Sequence, residues 1–379
     1  LLATSACGGN AAVPTGPAGT NFNSLSSQAS PVSASREGSV VPDDSTSILK
    51  KLKKDVEIGS TVDKKNGDMG PRAISVVRST FGLKKGQLLV CNFENSAGVA
   101  GKGSTIEVFD PKPHSKPTTF TQNSKLAGCD GDAVTATNKV YGTAYSGAIT
   151  QYDQTGQLSN TYTSHVEAPF ADGDAFCGLP YAPEDVYVSD AKTGAVVKAS
   201  FVPVSGGVTL TEVMAGFGVN KASGWSALGP SGIQYNNTRI GPLCNDTLYL
   251  VDGVDNTVVS ISNASNLLVK DEIVAQPGGK KFKCLHPTAT CATLVYSGSP
   301  LNAPVAAALL PNGNLVVANT NGGNVLVEMT PTGKILATKT LDTSKTAHVF
   351  GLIATGTSDN DTVIFYTDTA TNTLHELEQ

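Results

Sequence analysis

The sequence predicts an all-β protein, a six-bladed β-propeller preceded by a flexible N-terminal tether. Three observations lead to this fold class: a strand, turn, strand unit recurs six times, its spacing suits a propeller blade, and no long helical periodicity interrupts it. The unit is clearest at residues 315–329, where Leu-Val-Val-Ala-Asn precedes a small polar gap and a second apolar strand, Val-Leu-Val-Glu-Met.

The six copies share a five-residue segment of alternating apolar residues that ends at a turn-forming or small residue. These segments begin at Leu88, Val140, Val186, Leu248, Leu315 and Ile364. A second alternating segment follows each copy, and a short strand of small and apolar residues precedes it. Small residues suit strands that crowd around a central axis, so the preceding strands are predicted to be the innermost ones.

The spacing of the copies distinguishes a propeller from other repeat folds. Asn92 and Asp368 are 276 residues apart across five intervals, which gives a mean of about 55, near the ~40 to 50 residues of a propeller blade. This period is too long for leucine-rich or ankyrin repeats. Blades are predicted to start near residues 71, 129, 172, 230, 302 and 348.

Two parts of the chain resemble bacterial secreted NHL-repeat-like proteins. One runs from Gly86-Gln-Leu-Leu-Val-Cys-Asn through residues 103–111, and the other covers residues 303–319 with Phe350-Gly-Leu and residues 368–374. The resemblance extends over roughly residues 70–379 and is looser in the second and third blades. It implies a six-bladed propeller but no common chemistry, because propellers host many unrelated functions.

The first ten residues resemble the end of a signal peptide that runs into a bacterial lipobox. Small residues precede Cys7 and two glycines follow it, although Thr4 stands where leucine is usual. Residues 11–40 are rich in Ser, Ala, Gly, Pro and Asn, which is the composition of a linker. Residues 1–42 are therefore predicted to be a signal remnant and disordered tether with a lipidated Cys7. An ordinary secretion signal cleaved near this point is the alternative.

The predicted propeller domain covers residues 43–379 and begins with two short elements. Helix-start residues precede an apolar and basic run, which predicts a helix over residues 47–54. Residues 56–62 alternate like a strand. The last blade shows three strands, whereas a blade normally has four, so residues 56–62 are predicted to supply the fourth and close the ring.

Cysteine usage predicts an exported protein. Besides Cys7 the sequence has six cysteines, Cys91, Cys129, Cys177, Cys244, Cys284 and Cys291. An even number is compatible with three disulfides in an oxidising compartment. Cys284 with Cys291 closes a short loop, and Cys129 with Cys177 joins the innermost strands of adjacent blades. The predicted location is the outer membrane or cell surface, as a lipoprotein, or the extracellular space.

Asp or Asn stands where the first strand ends in five of the six units. These equivalent corners are Asn92, Asp190, Asp252, Asn319 and Asp368, and Ala144 is at the sixth. In gluconolactonase-like propellers such oxygens converge on the axis and hold a divalent cation, so Asp190, Asp252, Asn319 and Asp368 are candidate Ca²⁺ ligands and no other cofactor is predicted. The alternative is structural, because Asp and Asn side chains bond to nearby backbone N–H groups in turns. Recurrence in most blades favours the turn role.

The single tryptophan, Trp225, precedes the fourth predicted innermost strand. A loop there would emerge at one mouth of the central channel, where the ring could contact a ligand or pack under the loop.

Two functions are compatible with these observations. The favoured one is a non-enzymatic binding or scaffold module for a protein or glycan on the cell envelope, attached to the membrane only through a lipid anchor. The alternative is a metal-dependent hydrolase or lactonase with its site in the central channel. Residues 224–228, Gly-Trp-Ser-Ala-Leu, lack the final glycine of a nucleophile elbow. A net charge of −5 without a basic face argues against nucleic acid.

Overall fold

The computed structural model describes residues 46–78, 80, 82–135, 138–163, 169–175, 184–202, 207–240 and 243–379. Within these ranges, 26 strands form six sheets. The sheets are the six blades of a propeller, which confirms the predicted fold class. The predicted tether with Cys7 lies outside the described residues. No helix in the described ranges is long and apolar enough to cross a membrane.

The strands of each blade are connected mainly by antiparallel pairing, and they run from the axis outward in chain order. The first strand, β1 (Lys54–Ser60), belongs to the last blade. Blade 1 contains β2 (Met69–Val76), β3 (Leu88–Glu94), β4 (Ala100–Phe109) and β5 (Thr118–Gln122). Blade 2 contains β6 (Cys129–Val134), β7 (Val140–Ala144), β8 (Ala148–Tyr152) and β9 (Leu158–Thr163).

The third and fourth blades share an insertion. Blade 3 contains β10 (Pro169–Ala175), β11 (Glu184–Asp190), β12 (Ala195–Val202) and β13 (Gly207–Ala215). Blade 4 contains β14 (Pro230–Ile240), β15 (Leu243–Asp252), β16 (Thr257–Ser262) and, after the inserted β17 (Ile273–Ala275) and β18 (Phe282–Cys284), β19 (Ala292–Ser297). The inserted hairpin leaves blade 4 and extends the sheet of blade 3, because β17 pairs in parallel with β13.

The last two blades complete the ring. Blade 5 contains β20 (Pro304–Leu309), β21 (Leu315–Asn319), β22 (Val325–Met329) and β23 (Ile335–Thr340). Blade 6 contains β24 (Val349–Thr355), β25 (Val363–Asp368), β26 (Thr373–Glu378) and β1. Short 3₁₀ turns lie at Ser124–Leu126, Gly224–Ser226 and Ala264–Asn266. The innermost strands start at 69, 129, 169, 230, 304 and 349, against predicted blade starts near 71, 129, 172, 230, 302 and 348.

The innermost strands contact one another in sequence around the axis. Each contacts the next, and the last of them, β24, contacts β2. The approach is close: a Cβ added to Gly232 in β14 would lie 2.7 Å from Cα of Ala306 in β20. Each innermost strand also carries a register shift near its start, which bends the strand and increases its twist.

Ring closure depends on β1, which pairs antiparallel with β26 from Lys54 opposite Glu378 to Ser60 opposite Thr373. This strand lies two residues earlier than the predicted segment 56–62. The predicted helix over 47–54 is wrong, because residues 48–51 form a turn instead. The N–H of Lys53 already bonds to the carbonyl of Glu378, and this contact draws the chain into the sheet after one turn.

The turn before β1 is anchored by the buried carboxylate of Glu328 in β22. Its oxygens accept hydrogen bonds from the Ser47 hydroxyl at 2.6 Å and from the N–H groups of Ile48 at 3.1 Å and Leu49 at 2.9 Å. Asn314 donates a further bond at 3.1 Å. Ile48 and Leu49 are buried in the core between blades 5 and 6, so this segment is part of the propeller.

Two disulfides are formed among the described cysteines whose side chains are placed. Cys284 bonds to Cys291 with 5.5 Å between the Cα atoms, as their spacing predicts. Cys129 bonds to Cys91 with a Cα separation of 5.3 Å, which corrects the predicted pair with Cys177. Cys91 in β3 and Cys129 at the start of β6 meet in the core between blades 1 and 2. Cys177 lies outside the described residues.

We expect Glu328→Gln to destabilise the ring closure. The amide has one acceptor oxygen in place of two and adds an N–H group that faces donors, so the loss should be about 2 to 3 kcal/mol in the free energy of unfolding. Urea unfolding measures it, with Glu57→Gln on the exposed face of β1 as the control. An equal effect of both substitutions would contradict the anchoring role.

The loop between β1 and β2 carries the buried Asp63, whose side chain shares a hydrogen bond with that of the buried Glu107 in β4. Burial, then the bond and the charge of Asp63, raise the pKa of Glu107 to about 9. The folded chain thus holds a proton that the unfolded chain releases near pH 4.5. The contribution of this pair to the free energy of unfolding should therefore fall as the pH rises from about 4.5 to about 9. Glu107→Gln keeps the donor to Asp63 without the proton.

The variant should be more stable than the wild type at pH 9 and should differ less from it at pH 5.5. Urea unfolding at the two pH values gives this difference and cancels the titration of other groups. A wild-type advantage that grows toward pH 9 would contradict the shared proton.

Candidate binding surfaces

The predicted corner residues bond within their own blades. Each of the three aspartates accepts two backbone N–H groups from the turn that follows it: Asp190 from Lys192 and Thr193, Asp252 from Val254 and Asp255, and Asp368 from Ala370 and Thr371. The Asn319 side chain accepts the N–H of Asn302 at 3.0 Å and donates to the carbonyl of Pro300 at 2.8 Å. The corners are therefore turn caps.

This geometry corresponds to the turn role, the one of the two predicted roles that recurrence favours. Each carboxylate satisfies N–H groups that a tight turn leaves without a partner, and it does so locally, blade by blade. Around the described parts of the ring, no three His, Cys, Asp or Glu side chains form a group that could hold a metal ion. Burial raises the pKa of Asp252 to about 6, despite the hydrogen bonds from its turn.

Trp225 packs over the starts of the innermost strands. Its indole N–H donates to Glu94 at 2.7 Å, and its ring centroid lies 4.8 Å from that of Phe93 and 4.6 Å from that of Phe350. The Arg72 guanidinium lies 5.0 Å from the ring centroid. The indole, predicted either to contact a ligand or to pack, is thus surrounded by residues of blades 1 and 6.

The Gly224–Ser226 turn that carries Trp225 is held across the axis, and we call it the axial plug. The Tyr145 hydroxyl of blade 2 accepts the N–H of Gly224 at 2.8 Å, and the Arg72 side chain lies 3.4 Å from the Gly224 carbonyl. Below the plug, the fully buried Arg72 and Asp130 form an ion pair with 2.5 Å between Nε and Oδ1. Burial raises the pKa of Asp130 to about 7, although Arg72 opposes this shift.

A cavity of about 510 Å³ lies at the opposite end of the innermost strands, and we call it the mouth cavity. Four innermost strands line it: β2, β20 and β24 near their ends, and β14 in its middle. These contribute Val76, Gln234, Tyr235, Leu309 and Ile353. The loop from β2 to β3 adds Arg78 and Lys85.

Three exposed apolar residues flank the inserted hairpin in the chain, and we call them together the hairpin patch. It consists of Leu268, Val269 and Leu285, which are 72%, 43% and 60% exposed. They are three of the five large apolar residues that are exposed in the described structure. The other two, Val99 and Leu158, lie in blades 1 and 2.

One buried residue, Glu272, organises the hairpin patch. Its carboxylate accepts the N–H groups of Leu268 at 2.9 Å and Val269 at 3.2 Å, and its carbonyl accepts the N–H of Leu285 at 2.9 Å. His286 lies 3.1 Å from its other carboxylate oxygen. All three patch residues are thus bonded to the same residue, and the Cys284–Cys291 disulfide closes the adjoining loop.

Hydrogen bonding outweighs desolvation at Glu272. Burial alone would raise the pKa of its carboxyl group, but the bonds from Leu268, His286 and Val269 together lower it. The charged form is therefore the one that the hairpin stabilises. The insertion at residues 267–291 also carries four lysines against two acids, in a chain of net charge −5.

The hairpin patch was not found by sequence reasoning. Its strands have three residues each, too few for a periodic signal. Two signals were available: the apolar run Leu267-Leu268-Val269 within a polar segment, and the short disulfide loop that follows Cys284.

Comparison with known proteins gave structural matches alone. No protein-family model and no curated protein matches the chain, so the NHL-like resemblance stays a prediction. A protein of unknown function from Bacteroides caccae matches with 13% identity and a TM-score of 0.42 over 70% of this chain and 80% of its own.

Two further solved structures match at lower TM-scores. An auxiliary nutrient binding protein from Bacteroides ovatus ATCC 8483 has 12% identity and a TM-score of 0.39 over 83% of this chain and 59% of its own. BamB from Moraxella catarrhalis has 11% identity and a TM-score of 0.37 over 86% of both chains. These matches assign no function to the chain.

We expect Glu272→Ala to loosen the hairpin patch without unfolding the ring. Loss of its carboxylate bonds should speed amide hydrogen exchange at Leu268 and Val269 by about tenfold or more, because a bond to a charged group contributes about 1.5 to 3 kcal/mol. Exchange measured by mass spectrometry on peptides covering residues 264–290 tests this. Glu57→Ala, which removes an exposed carboxylate from β1 in blade 6, is the control and should leave exchange unchanged.

Proposed function

We propose that this protein is an exported, non-enzymatic binding and scaffold module that presents the hairpin patch to a protein partner. The observation that carries the proposal is the fixed arrangement of Leu268, Val269 and Leu285 around the buried Glu272. Single exposed apolar residues are common on protein surfaces. Three of them whose backbone N–H groups bond to one buried residue, two to its carboxylate and one to its carbonyl, are a feature that needs a further explanation.

A rigid patch binds a partner more tightly than a flexible one. A partner that covers an exposed leucine gains roughly 1.5 to 3 kcal/mol from its burial. Most of that gain is lost if the loop must first be ordered, so a surface that is already fixed binds more tightly. The disulfide and the Glu272 bonds supply this order before any partner arrives.

The chemistry of the patch favours a protein over a glycan. Its apolar residues are aliphatic and offer no aromatic ring on which a sugar could stack. Lysines at 270, 280, 281 and 283 surround it in sequence. A partner with an apolar centre and an acidic rim would complement this arrangement, because apolar contact supplies affinity and opposite charges supply orientation.

The compartment is also part of the proposal. Two disulfides among the described residues support an oxidising environment, which favours export. A lipid on Cys7 and a tether over residues 1–42 would place the ring at the cell envelope.

The test is affinity purification from the envelope of cells that produce the tagged full chain after brief cross-linking. Leu268→Ser combined with Leu285→Ser should remove at least one protein that the wild type retains. Val99→Ser combined with Leu158→Ser is the matched control, because it removes two exposed apolar residues from other blades. That pair should leave the same protein bound.

Identical sets of retained proteins with wild type and patch variant would overturn the proposal, as would loss of the same protein from both double variants. Thermal unfolding of each variant shows that the ring is intact. Purified partner and protein should then bind with a dissociation constant that rises at least about tenfold for the patch variant, which corresponds to about 1.4 kcal/mol.

A further inference from the structure

The mouth cavity is formed mainly by innermost strands. Four of them line it, and each is held by the sheet of its own blade and by contact with its neighbours. Val77 and Tyr235 in the lining are buried. Its volume of about 510 Å³ falls within the ~300 to 1,000 Å³ of small-molecule sites. The space therefore exists before any ligand binds.

The loop that carries the charged lining residues is fixed at its base. Backbone bonds of 2.8 Å join the N–H of Val77 to the carbonyl of Gln87 and the N–H of Gly86 to the carbonyl of Val77. Arg78 follows one side of this base and Lys85 precedes the other. Both cations are thus held at the rim of the same cavity.

The charged residues described in the lining have one sign. Among the described residues that line the cavity, Arg78 and Lys85 carry the charge. Asp361 lies beside the lining residue Gly356, and its carboxylate accepts hydrogen bonds from Thr357 and Ser358. The interior is mainly apolar, with Val76, Leu309 and Ile353 beside the polar Gln234.

We infer that the mouth cavity binds a small amphiphilic carboxylate, with the apolar body between the strand ends and the anionic head at Arg78 and Lys85. Apolar lining supplies the affinity for the body. The two cations select the anionic head, and Arg78 can engage a carboxylate through two parallel N–H bonds. This inference is independent of the hairpin patch, which lies on the inserted hairpin and shares no residue with the cavity.

The experiment compares three probes of equal chain length on the full chain by isothermal titration calorimetry, below their micelle concentrations. Decanoate should bind once per chain. Decanol should bind about tenfold more weakly, and decyltrimethylammonium should show no saturable binding, because two partly exposed charges together contribute roughly a factor of ten. Decanoate binding should weaken as salt rises, since the cations are at the rim.

Variants separate the head from the body. Arg78→Gln with Lys85→Gln should weaken decanoate about tenfold and leave decanol unchanged. Lys84→Gln, one residue away and absent from the lining, is the matched control and should change neither. Leu309→Trp should fill the cavity and weaken both probes.

Equal affinity for decanoate and decanol, no binding of decanoate, or binding unaffected by the charge variants would each overturn the inference. Weaker decanoate binding in the Lys84 control would overturn it too, because the effect would then come from general surface charge. Failure of the hairpin patch to bind a protein would leave these results untouched, and the reverse also holds.

Discussion

The ring depends on one pairing, that of β1 with β26. Without β1, the outer edge of blade 6 would present unpaired N–H and C=O groups, and the two ends of the described ring would be joined by no sheet. The pairing is supported from blade 5, because Glu328 holds the turn that precedes β1. Closure therefore couples residues that are about 280 positions apart.

The fold was predictable because the same strand pattern recurs along the sequence. Segments such as Leu315–Asn319 have apolar residues at every second position, which predicts a strand, and six copies at blade-like spacing predict a propeller. The helix over 47–54 failed for a physical reason: Ile48, Leu49 and the N–H of Lys53 are committed to blades 5 and 6, and these long-range contacts override local propensity. The inserted hairpin was missed because its three-residue strands carry no period and pair with a blade to which they do not belong by chain order.

The candidate sites were less predictable than the fold. Sequence placed Trp225 near the axis, but its partners Glu94 and Phe350 are more than a hundred residues away in the chain, so the plug could not be derived from local pattern. The corner aspartates show the opposite case. Each of their carboxylates bonds to N–H groups of the turn that follows it, so their bonding is set by local sequence. The mouth cavity depends on four innermost strands together, which no single repeat reveals.

Buried carboxyl groups serve the same purpose at several points of this structure. Glu328 bonds to the N–H groups of Ile48 and Leu49, Glu272 to those of Leu268 and Val269, and Asp63 to those of Lys65 and Asn66. In each case the backbone of a loop outside the sheets is held by hydrogen bonds to one buried carboxyl group. A charge buried for this purpose is costly unless every bond is made, so each loop is held in one arrangement. Surfaces built on such loops are rigid in the absence of any partner, which is the property that a binding module requires.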